Sequence, residues 1–277
     1  MLALVTEMLS HEFMRNAFLA GTAVAVACGL AGSFILLRGQ LFAGDALSHV
    51  AFTGTLAALL LGVDGRLGLY GGTVGVAALL ALLGSRARAD DVAIGSVFAF
   101  VLGVGVLLLS MFTATMSGAN SSVGTAALFG SILGLDTGAV RVIVSVGALA
   151  SLALVVVARP LLFATLDEGV AAARGVPTRA LGVAFLVIVG VVAAEAAQAV
   201  GALLLLGLLA APAAAAQVLV RRPYVAMALA VAVAVGAMWL GLAASFALPS
   251  VPPSFAVIAL AAVSYAVAGG YRWLRPA

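Results

Sequence analysis

Asp45 and His49 stand four residues apart in the stretch LLRGQLFAGDALSHVAFTG, residues 36–54, at the head of an apolar run. If that run is helical, residues i and i+4 share a face with their Cβ atoms about 6 Å apart. A carboxylate and an imidazole so placed can both reach one metal ion. The pair suits Zn2+ and equally Mn2+ or Fe2+, because no thiolate biases it toward zinc. Two ligands are too few for a tetrahedral site. A two-fold dimer would repeat them and place two carboxylates and two imidazoles on its axis. A second reading of the same residues stands beside this one. Asp45 follows Gly44 and is a favoured N-cap, with Ser48 at N3, and His49 would then bond a neighbour within the bundle.

A second cluster of signals lies in RPLLFATLDEGVAAARGVPTRA, residues 159–180. Asp167 reads as an N-cap and Glu168 sits in the first turn, where the helix dipole favours acid. Arg174 closes the last turn, Gly175 suits the C′ position and Pro177 blocks continuation. Two turns are marginal in water, because nucleation costs more than so few bonds return. The helix therefore needs a surface, either the membrane face and its own bundle or a cytoplasmic partner. Other polar groups are weaker candidates. Glu195 and Gln198 share a face and are expected in a solvated outer turn, with a place at a pore mouth as the alternative. Asp136 and Arg141 are expected to pair, and Asp64 and Arg66 to form a plain turn.

The elements that position these groups follow from composition. Of 277 residues, 65% are hydrophobic and 8% charged, where a soluble domain would carry roughly a quarter charged residues. Apolar segments fall near 14–37, 45–62, 67–84, 92–112, 138–158, 180–197, 200–219, 224–247 and 254–271. Lipid satisfies no backbone hydrogen bonds, and these runs are too long and unalternating for barrel strands. The expected fold is all-α: a polytopic transmembrane bundle of about nine spans, or eight if one segment is re-entrant, in a single domain 1–277. The stretch 180–219 is too long for one span and is expected to turn at Glu195–Gln198. The tail of the 113–137 loop is too short to span and reads as re-entrant or interfacial. Small-residue runs such as Gly29–Gly32, Gly71–Gly75 and Gly103–Gly105 read as close-packing sites. Pro212 is expected to kink its helix.

With nine alternating spans, one side receives Arg38, Arg86, Arg88, Arg159, Arg174, Arg179, Arg221, Arg222, Arg272 and Arg275. The other receives only Arg15, Arg66 and Arg141. This asymmetry places the C-terminus in the cytoplasm and the N-terminus outside, with Tyr224, Tyr271 and Trp273 at the inner interface. Scattered arginines are no nucleic-acid signal. The chain has no lysine at all, which excludes a GxxxxGK[ST] loop, so ATP-driven transport would need its ATP on another chain. Cys28, the single cysteine, excludes an intrachain disulfide. The N-terminal MLALVTEMLSHEFMR lacks a basic n-region and a cleavage site, so no signal peptide is expected.

The run from FMRNAFLAG to GDALSHVAFTG, followed in order by DDVAIGSVFA, LFGSILGL, LDEGVAAARGVP and QAVGALLLLGLLAAPAAAA, resembles the permease subunits of bacterial zinc/manganese/iron ABC importers. The likeness covers about residues 13–268. It implies a homodimer in the bacterial inner membrane, two cytoplasmic ATPase subunits and an extracytoplasmic metal-binding protein. It further implies that the 167–175 helix is the coupling helix, that Asp45 and His49 lie on the metal pathway, and that the acidic pair Asp90 and Asp91 marks the inner end of the fourth span. The chain itself would be no enzyme and hold no resident cofactor, only a transported Zn, Mn or Fe ion.

Three rivals remain. A permease for a metal chelate of siderophore or cobalamin type would not need the Asp45/His49 pair. An ion-coupled secondary transporter would show matching broken helices in two halves, and GDALSH has no counterpart in the second half. An intramembrane enzyme lacks HExxH and GxSxG signatures.

Overall fold

Ten α-helices and one 3-10 turn make up the residues that the computed structural model describes, 7–8, 10–83, 91–115, 130–202 and 205–274, with no strand among them. In chain order they are α1 (Glu12–Arg38), α2 (Leu41–Leu60), α3 (Gly65–Leu83), α4 (Asp91–Thr115), the 3-10 turn Ile132–Gly134, α5 (Thr137–Leu166), α6 (Glu168–Ala173), α7 (Thr178–Ala199), α8 (Leu205–Leu219), α9 (Pro223–Ala247) and α10 (Pro253–Leu274). Each of the nine apolar segments is one helix, and α6 is the short helix expected after Asp167. Arg86, Arg88, Asp90, Arg275 and loop residues 116–129 lie outside the described residues, as does the side chain of Asp91.

Among the described residues, α1, α3, α4, α5, α7, α9 and α10 are long and apolar enough to cross a membrane. With 20 residues α2 is also long enough, at about 30 Å, but Asp45 and His49 make it more polar. The 15 residues of α8 reach only about 22 Å. The chain is a multi-pass membrane protein with an all-α fold. Its outer surface fits that solvent: Phe100 and Val106 of α4 and Leu149 and Val156 of α5 are exposed, an apolar surface that water would not tolerate at this extent. Tyr224, Tyr271 and Trp273 are exposed too, as residues of an interfacial belt must be.

The centre of the bundle is α1, which packs against α5, α7, α8 and α9. Small residues allow this closeness. A Cβ on Gly32 of α1 would collide with the Leu209 carbonyl of α8, and Gly54 of α2 and Gly68 of α3 each abut the other's carbonyl. By contrast Gly71, Gly75 and Gly103 face open space, so only part of the small-residue pattern serves packing.

One local expectation is corrected. The chain does not turn at Glu195–Gln198, because Glu, Ala and Gln are all good helix formers and α7 runs through them to Ala199. The break comes just beyond, where Gly201 takes a φ of 102°. Most of the loop tail expected to be re-entrant or interfacial lies outside the described residues, and its described end holds a 3-10 turn against α1. Ile132 is buried there, and Asn16 Nδ2 donates to the Leu135 carbonyl at 3.4 Å.

Candidate metal centre

The start of α2 is fixed by the residues before it. Gly39 ends α1 with a φ of 66°, a left-handed conformation that glycine adopts at little cost. Gln40 follows as the N-cap of α2, its carbonyl accepting from the Ala43 and Gly44 amides at 3.1 and 3.4 Å. Asp45 therefore lies inside the helix and is not its N-cap. Ser48 does not complete a cap either; its hydroxyl donates to the Asp45 backbone carbonyl at 2.6 Å. The capping reading of Asp45 is thus removed, and its carboxylate has no cap to serve.

Asp45 and His49 are both half-buried on α2, between the buried Gly44, Ala46, Leu47, Ser48 and Val50. The carboxylate lies within electrostatic reach of the imidazole. The His49 ring packs against Phe98 of α4 at 5.2 Å between centroids, tilted by 57°, which limits its rotation. Among the described residues no three His, Cys, Asp or Glu side chains gather as a metal-holding group. Asp45 and His49 are thus two ligand-type side chains on one helix face, both partly exposed and with no third such group beside them among the described residues.

The α6 segment carries every expected end signal. Asp167 Oδ1 accepts from the Val170 amide at 2.9 Å, and Glu168 occupies the first turn. Arg174 is the C-cap, and Gly175 follows with a φ of 81°. Gly175 N–H reaches the Ala172 carbonyl at 2.9 Å and Val176 N–H the Ala171 carbonyl at 3.0 Å. This is the paired closing pattern of a left-handed helix end. Only Ala171 of the helix is buried; Val170, Ala172, Ala173 and Arg174 are exposed, as is the preceding Leu166.

Glu195 and Gln198 part company. Glu195 is fully buried, not solvated, and neither carboxylate oxygen has a hydrogen-bond partner among the described residues. It points toward α5, where a Cβ added at Gly147 would lie 3.0 Å from Oε2. Gln198 instead lines a cavity of about 280 Å3 together with Thr55, Asp64, Arg66 and Ser131. Asp136 caps α5 through the Gly138 and Ala139 amides and pairs with Arg66 at 3.3 Å, not with Arg141. That partner comes from 70 residues away in sequence, a proximity no local spacing encodes.

Sequence reasoning counted Arg38 as one more charge at the membrane edge. Its side chain instead turns inward and is 7% exposed. Nε donates to Gln40 Oε1 at 3.0 Å and Nη1 to Thr165 Oγ1 at 3.3 Å, with the guanidinium 5.4 Å above the Phe185 ring of α7. The available signal was Gly39–Gln40 directly after it, which marks a tight reversal at the end of α1.

The family model described as "ABC 3 transport family" matches residues 10–270. The chain belongs to the ABC 3 transport family. Similar relatives include the manganese import system permease protein ScaB of Streptococcus gordonii, 28% identical over 95% of this chain and 94% of that one. Another is the manganese transport system membrane protein MntC of Halalkalibacterium halodurans, 29% identical over 81% and 75% of the two chains. Among solved structures, PsaBC from Streptococcus pneumoniae in complex with Fab aligns with a TM-score of 0.84 at 26% identity, over 99% of each chain. The resemblance to metal-importer permeases carried by GDALSH and the later motifs is borne out, and the chain is a transport permease of this family.

Proposed function

We propose that two copies of this chain form the translocation pathway of an ATP-driven importer for a divalent transition metal, with manganese as the leading ion. The observation that carries this is the half-buried Asp45/His49 pair, an incomplete ligand set on one helix. The chain's similarity to manganese transport and import permeases supports manganese over zinc or iron. A bare cation in hydrocarbon would cost tens of kcal/mol, so the pathway must replace its water with ligands. One carboxylate and one imidazole from each copy do this loosely enough for the ion to leave inward. Neutral imidazole is the ligand form, so uptake weakens in acid, where a proton competes with the ion for the His49 ring.

In this reading the chain is one permease domain, 1–277, in the bacterial inner membrane, with its N-terminus outside and its C-terminus in the cytoplasm. It catalyses no reaction and holds no resident cofactor. Two cytoplasmic ATPase subunits bind beneath the dimer, and the exposed face of α6, bounded by Asp167, Glu168, Arg174 and Gly175, is their docking point. An extracytoplasmic metal-binding protein delivers the ion. Gln198 and the cavity it lines lie on the way in, with Glu195 behind them. The testing experiment is Mn2+ uptake in cells carrying Asp45→Ala, His49→Ala or both. Each single variant abolishes uptake with ATPase binding intact, and the double is no worse, because the ligands act in one site. Wild-type uptake in His49→Ala would overturn the assignment.

A further inference from the structure

Resting on the reading above, we propose that Arg38 is a positioning residue that ties the coupling helix α6 to the metal-ligand helix α2. Its guanidinium joins the start of α2, two residues on, to the end of α5, 127 residues away, over a ring of α7. One arm runs from Nε to Gln40 Oε1 at 3.0 Å, and Gln40 is the N-cap of α2, five residues before Asp45. The other arm runs from Nη1 to Thr165 Oγ1 at 3.3 Å. Thr165 lies two residues before Asp167, which is at once the C-cap of α5 and the N-cap of α6. Below both arms the guanidinium rests on the buried Phe185 ring of α7 at 5.4 Å.

This arrangement uses what arginine has and lysine lacks: a rigid planar fork that points separate donors at separate acceptors while its face stacks on an aromatic ring. Each acceptor is itself held. Thr165 Oγ1 donates on to the Leu161 carbonyl at 2.6 Å, which fixes its rotamer, and the backbone N–H of Gln40 donates to the Ile35 carbonyl at 2.9 Å, which fixes the Gln40 main chain. A displacement of α6 that moves Asp167 moves Thr165 with it. The charged hydrogen bonds then carry that displacement to Gln40, the N-cap of α2. Charge-assisted bonds at a buried site are strong and costly to leave unmade, so the two ends shift together.

Arg38→Ala would strip a buried contact as well as the link, so the arms are cut separately. Thr165→Val removes one acceptor and Gln40→Leu the other, and neither touches Asp45 or His49. Each variant is reconstituted in proteoliposomes with the ATPase that co-purifies with it, and Mn2+ transported per ATP hydrolysed is measured. The expected result is a drop of roughly five-fold or more in that ratio, the lower end of known coupling strengths. Thr165→Ser restores it, and the Thr165→Val/Gln40→Leu double variant falls no further than the worse single. Manganese binding by detergent-solubilised protein stays at the wild-type level in all of them. A wild-type ratio in both single variants overturns the link, even if their thermal stability falls. Failure of the underlying reading looks different: Asp45→Ala would keep its manganese binding, or Gly175→Val its coupled transport.

Discussion

Gly175 closes α6 with a φ of 81°, and a Cβ placed there would meet nothing within 4 Å. Substitution therefore tests the backbone conformation alone, without steric collision. A left-handed φ costs an L-residue about 1–2 kcal/mol, and a β-branched side chain falls at the upper end. At about 1.4 kcal/mol per factor of ten, Gly175→Val reduces the closed form of the helix end roughly 30-fold and Gly175→Ala roughly 5-fold. Asn tolerates this region, so Gly175→Asn stays near wild type. A six-residue helix has no reserve with which to absorb the larger cost. Mn2+ uptake should therefore fall in the order Asn, Ala, Val, with ATPase retention on purification falling in parallel. The melting temperature of the bundle should not move, because Gly175 supports none of its packing. Normal uptake and ATPase retention in Gly175→Val, or an equal loss in all three variants, would refute the reasoning.

Breaking the Arg66–Asp136 pair with Arg66→Ala should cost at most about 1 kcal/mol, because both side chains are substantially exposed, 38% and 71%. Asp136→Ala should cost about 1 kcal/mol more through the lost cap on α5, and thermal melts of the two purified variants check the order. Glu195→Met should melt at or above the wild-type temperature, since an unpaired buried carboxyl is replaced by an apolar chain of similar volume; a clear drop would mean that the carboxyl has a partner the bundle depends on. A cysteine at Arg174 should react with an impermeant thiol reagent only from the cytoplasmic side, against the low background of the buried Cys28. Labelling in intact cells would reverse the assigned orientation.

The helices were legible because lipid forces each apolar run to satisfy its own backbone bonds. The ends of α6 were equally legible, since Asp167, Arg174, Gly175 and Pro177 act on neighbours within a few residues. What failed was the placement of polar groups whose setting is tertiary. Asp45 looked like a cap because it follows a glycine, but Gly39 had already reversed the chain and α2 starts earlier. Glu195 looked solvated because it sits in a polar tetrapeptide near a required turn. Its burial is set by Gly147 of another helix, whose missing side chain leaves room for the carboxylate. Arg66 pairs with Asp136 and Arg38 with Thr165 across separations that sequence spacing does not reveal.

The central claim is that two copies of the chain complete one metal site from Asp45 and His49. Electron paramagnetic resonance of Mn2+ titrated into the purified protein reads this directly, through the loss of the free-ion signal on binding. One bound ion for every two chains is expected, lost in His49→Ala and in Asp45→Ala while the dimer persists on size exclusion. Unchanged binding in both variants, or one ion per monomeric chain, would contradict it.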